Sequence, residues 1–179
     1  ESVYIPKLNL FFSIAMRNLD NEDLQKISLD LLVACPESEL KKMLHSLSSF
    51  AEKSAMFFQP FLESLVQRLC EIALNSEYED IIRDLSMNCL TSIAEGAPGM
   101  CQSNEEYYAP VFKTFIQIAS EIDDDSPWEY DLNNTQPYQY ALDSIAIIFE
   151  KFQSPNIFVP IFDMIMEVLS QDEIPWQTA

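Results

Sequence analysis

FFQPFLESL at Phe57–Leu65 recurs as YYAPVFKTF at Tyr107–Phe115 and as IFVPIFDMI at Ile157–Ile165, and it has a counterpart in VYIPKLNLF at Val3–Phe11. Each tract has two apolar residues, a variable one, a proline, and then apolar residues at helical spacing. The prolines are Pro6, Pro60, Pro110 and Pro160, separated by 54, 50 and 50 residues. Proline suits the first turn of a helix, where its missing N–H costs nothing and its φ is already helical. The spacing therefore predicts four helix starts, the first helix (A) of four repeating units. After Pro60 the apolar positions Phe61, Leu62, Leu65, Leu69, Ile72 and Ala73 keep a 3.6-residue period.

A second helix, B, lies between successive A helices. Leu47–Phe57 (LSSFAEKSAMF) parallels Leu90–Met100 (LTSIAEGAPGM). One B helix is expected at about Glu79–Gly96, stopped by Gly96 and Pro98, and another at about Pro137–Phe152, closed by Pro155. Asp20–Cys35 is an additional helical stretch that leaves the register of the first unit open. Helix pairs repeating every 40–50 residues predict an all-α fold, an α-solenoid of about three to four repeats. The expected division is 1–56 with the extra helix, 57–106, 107–156 with an acidic loop at 121–135, and 157–179 as the start of a further unit. The chain opens on Glu and stops inside an unfinished element. It reads as a segment of something longer, with apolar surface at both ends.

Composition narrows the function. The 179 residues include only two glycines, too few for glycine cradles around phosphates or dinucleotides. Hydrophobic residues make up 48%, so the chain folds despite ten Lys+Arg against 29 Asp+Glu. A net charge of −19 argues against direct nucleic-acid binding and against an anionic membrane surface, and it favours a basic partner. His45 is the lone histidine, so neither a catalytic triad nor a metal site has support, and Asp123–Asp125 lacks the spacing of a calcium loop. No cofactor is expected, and the chain reads as a non-enzyme. Cys35, Cys70, Cys89 and Cys101 form no CxxC pair and read as thiols in a reducing compartment.

Two candidate partner-binding surfaces emerge. The loop after the third A helix, EIDDDSPWEYD, places Asp123, Asp124, Asp125, Glu129 and Asp131 around Trp128. Such a loop can hold a basic segment by charge and by stacking on arginine. From Thr114 onward there are twelve acidic residues against Lys151 alone. The second surface is a stripe of Asp80, Asp84, Asn88, Thr91 and Glu95, three or four residues apart on one B helix. If B helices line the concave side, the stripe lines a concave acidic groove. An ordinary solvated face is an equal reading.

FFQPFLESLVQRLCEIA, IIRDLSMNCLTSIAEGAPGM, IDDDSPWEYD, ALDSIAIIF and FVPIFDMIMEVL, in that order over about residues 47–179, resemble the importin beta-type karyopherins, nearest the importin five (karyopherin beta-three) branch. The resemblance rests on Ala94–Met100, Asp123–Trp128, Ala141–Asp143 and Trp176, and it is to the N-terminal half of such receptors. It implies HEAT-type helix pairs in a superhelix, and a receptor moving between cytoplasm and nucleus through the nuclear pore. It also implies three partners: basic cargo proteins, a Ran-type GTPase in its GTP state, and Phe-Gly nucleoporins. The family's acidic loop, which contacts cargo or Ran, maps to Asp123, Asp124, Asp125 and Trp128. This chain departs from the pattern in its short acidic stretch, broken by Ser126-Pro127, and in the insert at Asp20–Cys35. The rivals are an export karyopherin and a structural HEAT scaffold, such as a phosphatase regulatory or condensin-like subunit.

Overall fold

The computed structural model describes residues 36–121 and 136–170, with isolated positions between 10 and 35. Pro6 and the acidic loop fall outside the described residues. Helix α1 (Glu37–Ser54) starts directly after Pro36, whose backbone is extended. Glu37 and Glu39 in its first turn and Lys53 in its last suit the helix dipole. Leu40, Met43, Leu44, Leu47, Phe50 and Ala51 form its buried face. A 3-10 segment (Ala55–Phe61) containing Pro60 leads into α2 (Leu62–Leu74). Next come α3 (Asp80–Gly96), the short α4 (Pro98–Gln102) and α5 (Glu105–Ala119). The described chain ends with α6 (Pro137–Lys151), a 3-10 turn (Pro155–Ile157) and α7 (Phe158–Leu169).

The helices stack in two layers. Helices α2, α5 and α7 touch in succession, as do α1, α3 and α6, while α2 packs on α3 and α5 on α6 across the layers. This is the all-α solenoid of stacked helix pairs, and no strand occurs among the described residues. Apolar side chains of both layers fuse into one core, each large one stabilising the fold by about 1.5–3 kcal/mol on full burial. Phe50, Phe57, Phe58 and Phe61 meet edge-on with centroids 5.2–6.0 Å apart, knitting α1 to the start of α2. Phe112 packs on Phe149 and Phe152 at 5.0 and 6.3 Å, closing α5 against α6.

Pro160 sits in the opening turn of α7, as expected. Pro60 instead precedes α2, near the end of the 3-10 segment that leads into it. Pro110 lies inside its helix: α5 begins five residues earlier, at Glu105. Asn104 caps it by accepting the Glu106 N–H at 3.0 Å, and Glu105 and Glu106 fill the first turn. A good cap and acidic first turn extend the helix past the proline, at the loss of one backbone bond to the Glu106 carbonyl. Helix α3 ends at Gly96, as expected, but not through a left-handed residue. No glycine here has positive φ. Instead α3 crosses α1 so closely that a Cβ at Gly96 would lie 2.7 Å from the Ala51 carbonyl oxygen and 2.9 Å from Ala55 Cβ.

Helix α7 breaks the burial pattern of its layer. Leu62 and Val66 of α2 correspond, 50 residues on, to Phe112 and Ile116 of α5, and these four are 8% exposed or less. The next positions in the series, Phe162 and Met166, are 60% and 48% exposed. Helices α2 and α5 each pack along a helix of the other layer, whereas α7 meets α6 at its first residue, where Phe158 stacks on Phe149 at 5.5 Å.

Candidate partner-binding site

Asp123, Asp124, Asp125, Trp128, Glu129 and Asp131 lie outside the described residues. Arg83, at the point where this stretch leaves α5, is buried on α3. Its Nε donates to the Ala73 carbonyl at 2.8 Å and its guanidinium meets Glu121 at 2.6 Å. That ion pair ties the last described residue of the α5 end to both α2 and α3.

The stripe on α3 divides into two kinds of environment. Asp80 and Glu95 are exposed, and Glu95 lies 3.9 Å from Lys151 of α6. Asn88 is half-buried and donates to Ser48 Oγ at 2.9 Å, with Ser48 and Ser92 sharing a bond of 3.0 Å. Thr91 is buried, its hydroxyl donating to the Met87 carbonyl at 3.0 Å, so it presents nothing to a partner. The polar residues facing α1 thus satisfy one another, leaving the α6 side as the chemically open part.

On that side Asp84 is half-buried, and its Oδ1 is shielded from solvent with no hydrogen-bond partner among the described residues. Burial, and then the neighbouring charge of Asp80, push its carboxyl up to about 6. Tyr140 of α6 stands close by. Its phenol is pushed up to about 12 by burial and by the surrounding charges of Asp84, Asp143 and Glu95. Asp80, Asp84, Asp143 and Glu95 therefore share one strip along α3 and α6 with an aromatic at its centre. Such a strip can accept ammonium or guanidinium groups and support a methylene stem on the ring.

Sequence reading found the α3 half of this strip and missed Tyr140 and the use of Asp143. They come from a helix more than 40 residues away, and only the α3–α6 contact brings them in. The buried Arg83 was also missed. Its signal was a lone cation on an otherwise apolar helix face. Cys70 and Cys101 are buried thiols pushed up to about 11 and about 12, and burial raises Cys89 further, so none is a nucleophile. His45 is exposed on α1. Among the described residues no group of His, Cys, Asp and Glu could hold a metal ion, and no helix is long and apolar enough to cross a membrane.

Comparison with known proteins adds two likenesses. A family model described as an importin repeat matches residues 75–147. The chain is 24% identical over 148 residues to importin subunit beta-3 of Saccharomyces cerevisiae, an alignment covering 76% of this chain and 13% of that protein. The chain thus spans a small part of the relative's length. No solved structure matches.

Proposed function

We propose, from the premise that this is an importin beta-type HEAT-repeat segment, that the chain is part of a karyopherin-type transport receptor and holds basic cargo on its acidic α3–α6 strip. The observation that carries the reading is Asp84. A shielded carboxylate oxygen without a donor, beside Asp80 and Tyr140, costs folding energy and becomes favourable once a cation is supplied. The overall charge of −19 attracts such a partner from a distance. On this reading the protein is a non-enzymatic carrier. On the same reading the acidic loop with Asp123, Asp124, Asp125 and Trp128 contacts cargo or a Ran-type GTPase in its GTP state. Contacts with Phe-Gly nucleoporins carry the receptor between cytoplasm and nucleus through the pore.

Fluorescence anisotropy of a labelled Lys/Arg-rich peptide, titrated at increasing salt, tests this. Binding should weaken with salt. It should fall in Asp84→Asn/Asp143→Asn and again when Asp123, Asp124 and Asp125 are changed to Asn and Trp128 to Ala. Binding untouched by both sets of substitutions refutes the assignment and favours a structural scaffold.

A further inference from the structure

We propose that the groove between α2 and α5 is a second docking site, for an extended peptide segment in which a lysine or arginine neighbours an aliphatic residue. The groove has a volume of about 380 Å³ and lies in the other layer from the α3–α6 strip. Its floor is apolar, made by Cys70 and Leu74 of α2 and the ring of Pro110 of α5. The Cys70 thiol is neutral and leans toward the Pro110 carbonyl, with 3.8 Å between sulfur and oxygen. Its rim carries three carboxylates, from Glu63, Glu71 and Glu106.

The rim selects the guest. Glu71 is already engaged, with Gln67 and Arg68 each donating to it at 3.3 Å. The carboxylates of Glu63 and Glu106 pair with no cation among the described residues. Pro110 adds a further acceptor, because it has no N–H to give to the Glu106 carbonyl one turn earlier. A purely apolar guest would strip water from these acceptors and return nothing. A lysine or arginine lays its methylene stem on the Cys70–Leu74–Pro110 floor and keeps its head at the rim. A neighbouring aliphatic side chain covers the rest of the floor.

The test uses the 179-residue chain and a fluorescein-labelled peptide of alternating lysine and leucine, read by anisotropy, with amide hydrogen exchange to locate it. Protection is expected in α2 and the first half of α5. Glu63→Gln/Glu106→Gln should weaken binding about threefold to tenfold and flatten its salt dependence, as two exposed ion pairs would. Gln67→Trp, at the groove edge, should block this site. Thermal melting of each variant verifies that it folds. Asp84→Asn/Asp143→Asn should leave the α2–α5 protection unchanged, so failure of this site and failure of the α3–α6 strip are distinguishable. The proposal is overturned if Glu63→Gln/Glu106→Gln binds like the parent or if protection falls only on α3 and α6. Equal binding of an uncharged Phe-Gly peptide in the groove, indifferent to the Glu→Gln changes, also overturns it.

Discussion

Replacing Asp84 by Asn should stabilise the protein at neutral and alkaline pH while weakening its hold on a basic peptide. In the folded chain the carboxyl ionises near 6, against an ordinary 3.8. The folded state therefore binds this proton more tightly than the unfolded state. Stability contributed at Asp84 falls as pH rises from about 4, and the penalty is complete above about 6. Taken in full, the difference between those two values corresponds to about 3 kcal/mol. Asp84 is only half-buried, so solvent screening reduces this to about 1 kcal/mol. Asn keeps the shape and removes the charge. For a chain of this size that gain raises Tm by about 2–4 °C. Thermal melts followed by circular dichroism at pH 8 and at pH 4 give the comparison. The variant should melt higher at pH 8, and the gap should close at pH 4, where the parent's Asp84 is itself protonated. A variant that melts at or below the parent at pH 8, or a gap independent of pH, would refute an ionised, poorly solvated Asp84. Tighter folding with weaker peptide binding is the pairing expected of a group kept for recognition.

Three other outcomes follow from the packing. Gly96→Ala pushes a methyl against the Ala51 carbonyl and Ala55, and urea unfolding should show a loss of about 1–3 kcal/mol. Phe112→Ala should cost about 3–5 kcal/mol, whereas Phe162→Ala, at the equivalent but open position, should cost under about 1 kcal/mol in the same assay. Cys70, Cys89 and Cys101 should resist iodoacetamide at pH 8 until denaturant is added, as read by mass spectrometry of the intact chain.

Much of the fold was legible because apolar periodicity and proline spacing are local signals repeated several times. The helix expected at Glu79–Gly96 is α3, and that expected at Pro137–Phe152 is α6. The errors have physical causes. At Pro110 the local rule for proline was correct, but the Asn104 cap and two glutamates set a competing start upstream. At Gly96 the expected stop is in place, but glycine serves two purposes, left-handed backbone and close approach, and sequence cannot say which. The candidate site was half legible. Asp80, Asp84 and Glu95 were found by spacing, whereas their partners on α6 have no sequence relation to them.

The sequence by itself determined that this is a helical repeat, where most helices lie, and that its surface is strongly acidic. Those properties depend on residues a few positions apart or on composition alone. Only the tertiary structure decided which polar residues are left without a neighbour to consume them. Helix α3 lies against α1, α2 and α6, so a polar stripe that looks continuous on an isolated helix is consumed in part by neighbours. Asn88 bonds to Ser48, Thr91 is buried, Ser86 donates to the Leu69 carbonyl at 2.7 Å, and Arg83 is spent on Ala73 and Glu121. What remains open is the side of Asp84. A helix in the middle of a layer has contacts on three sides, and its exposed face is set by those contacts rather than by its own period.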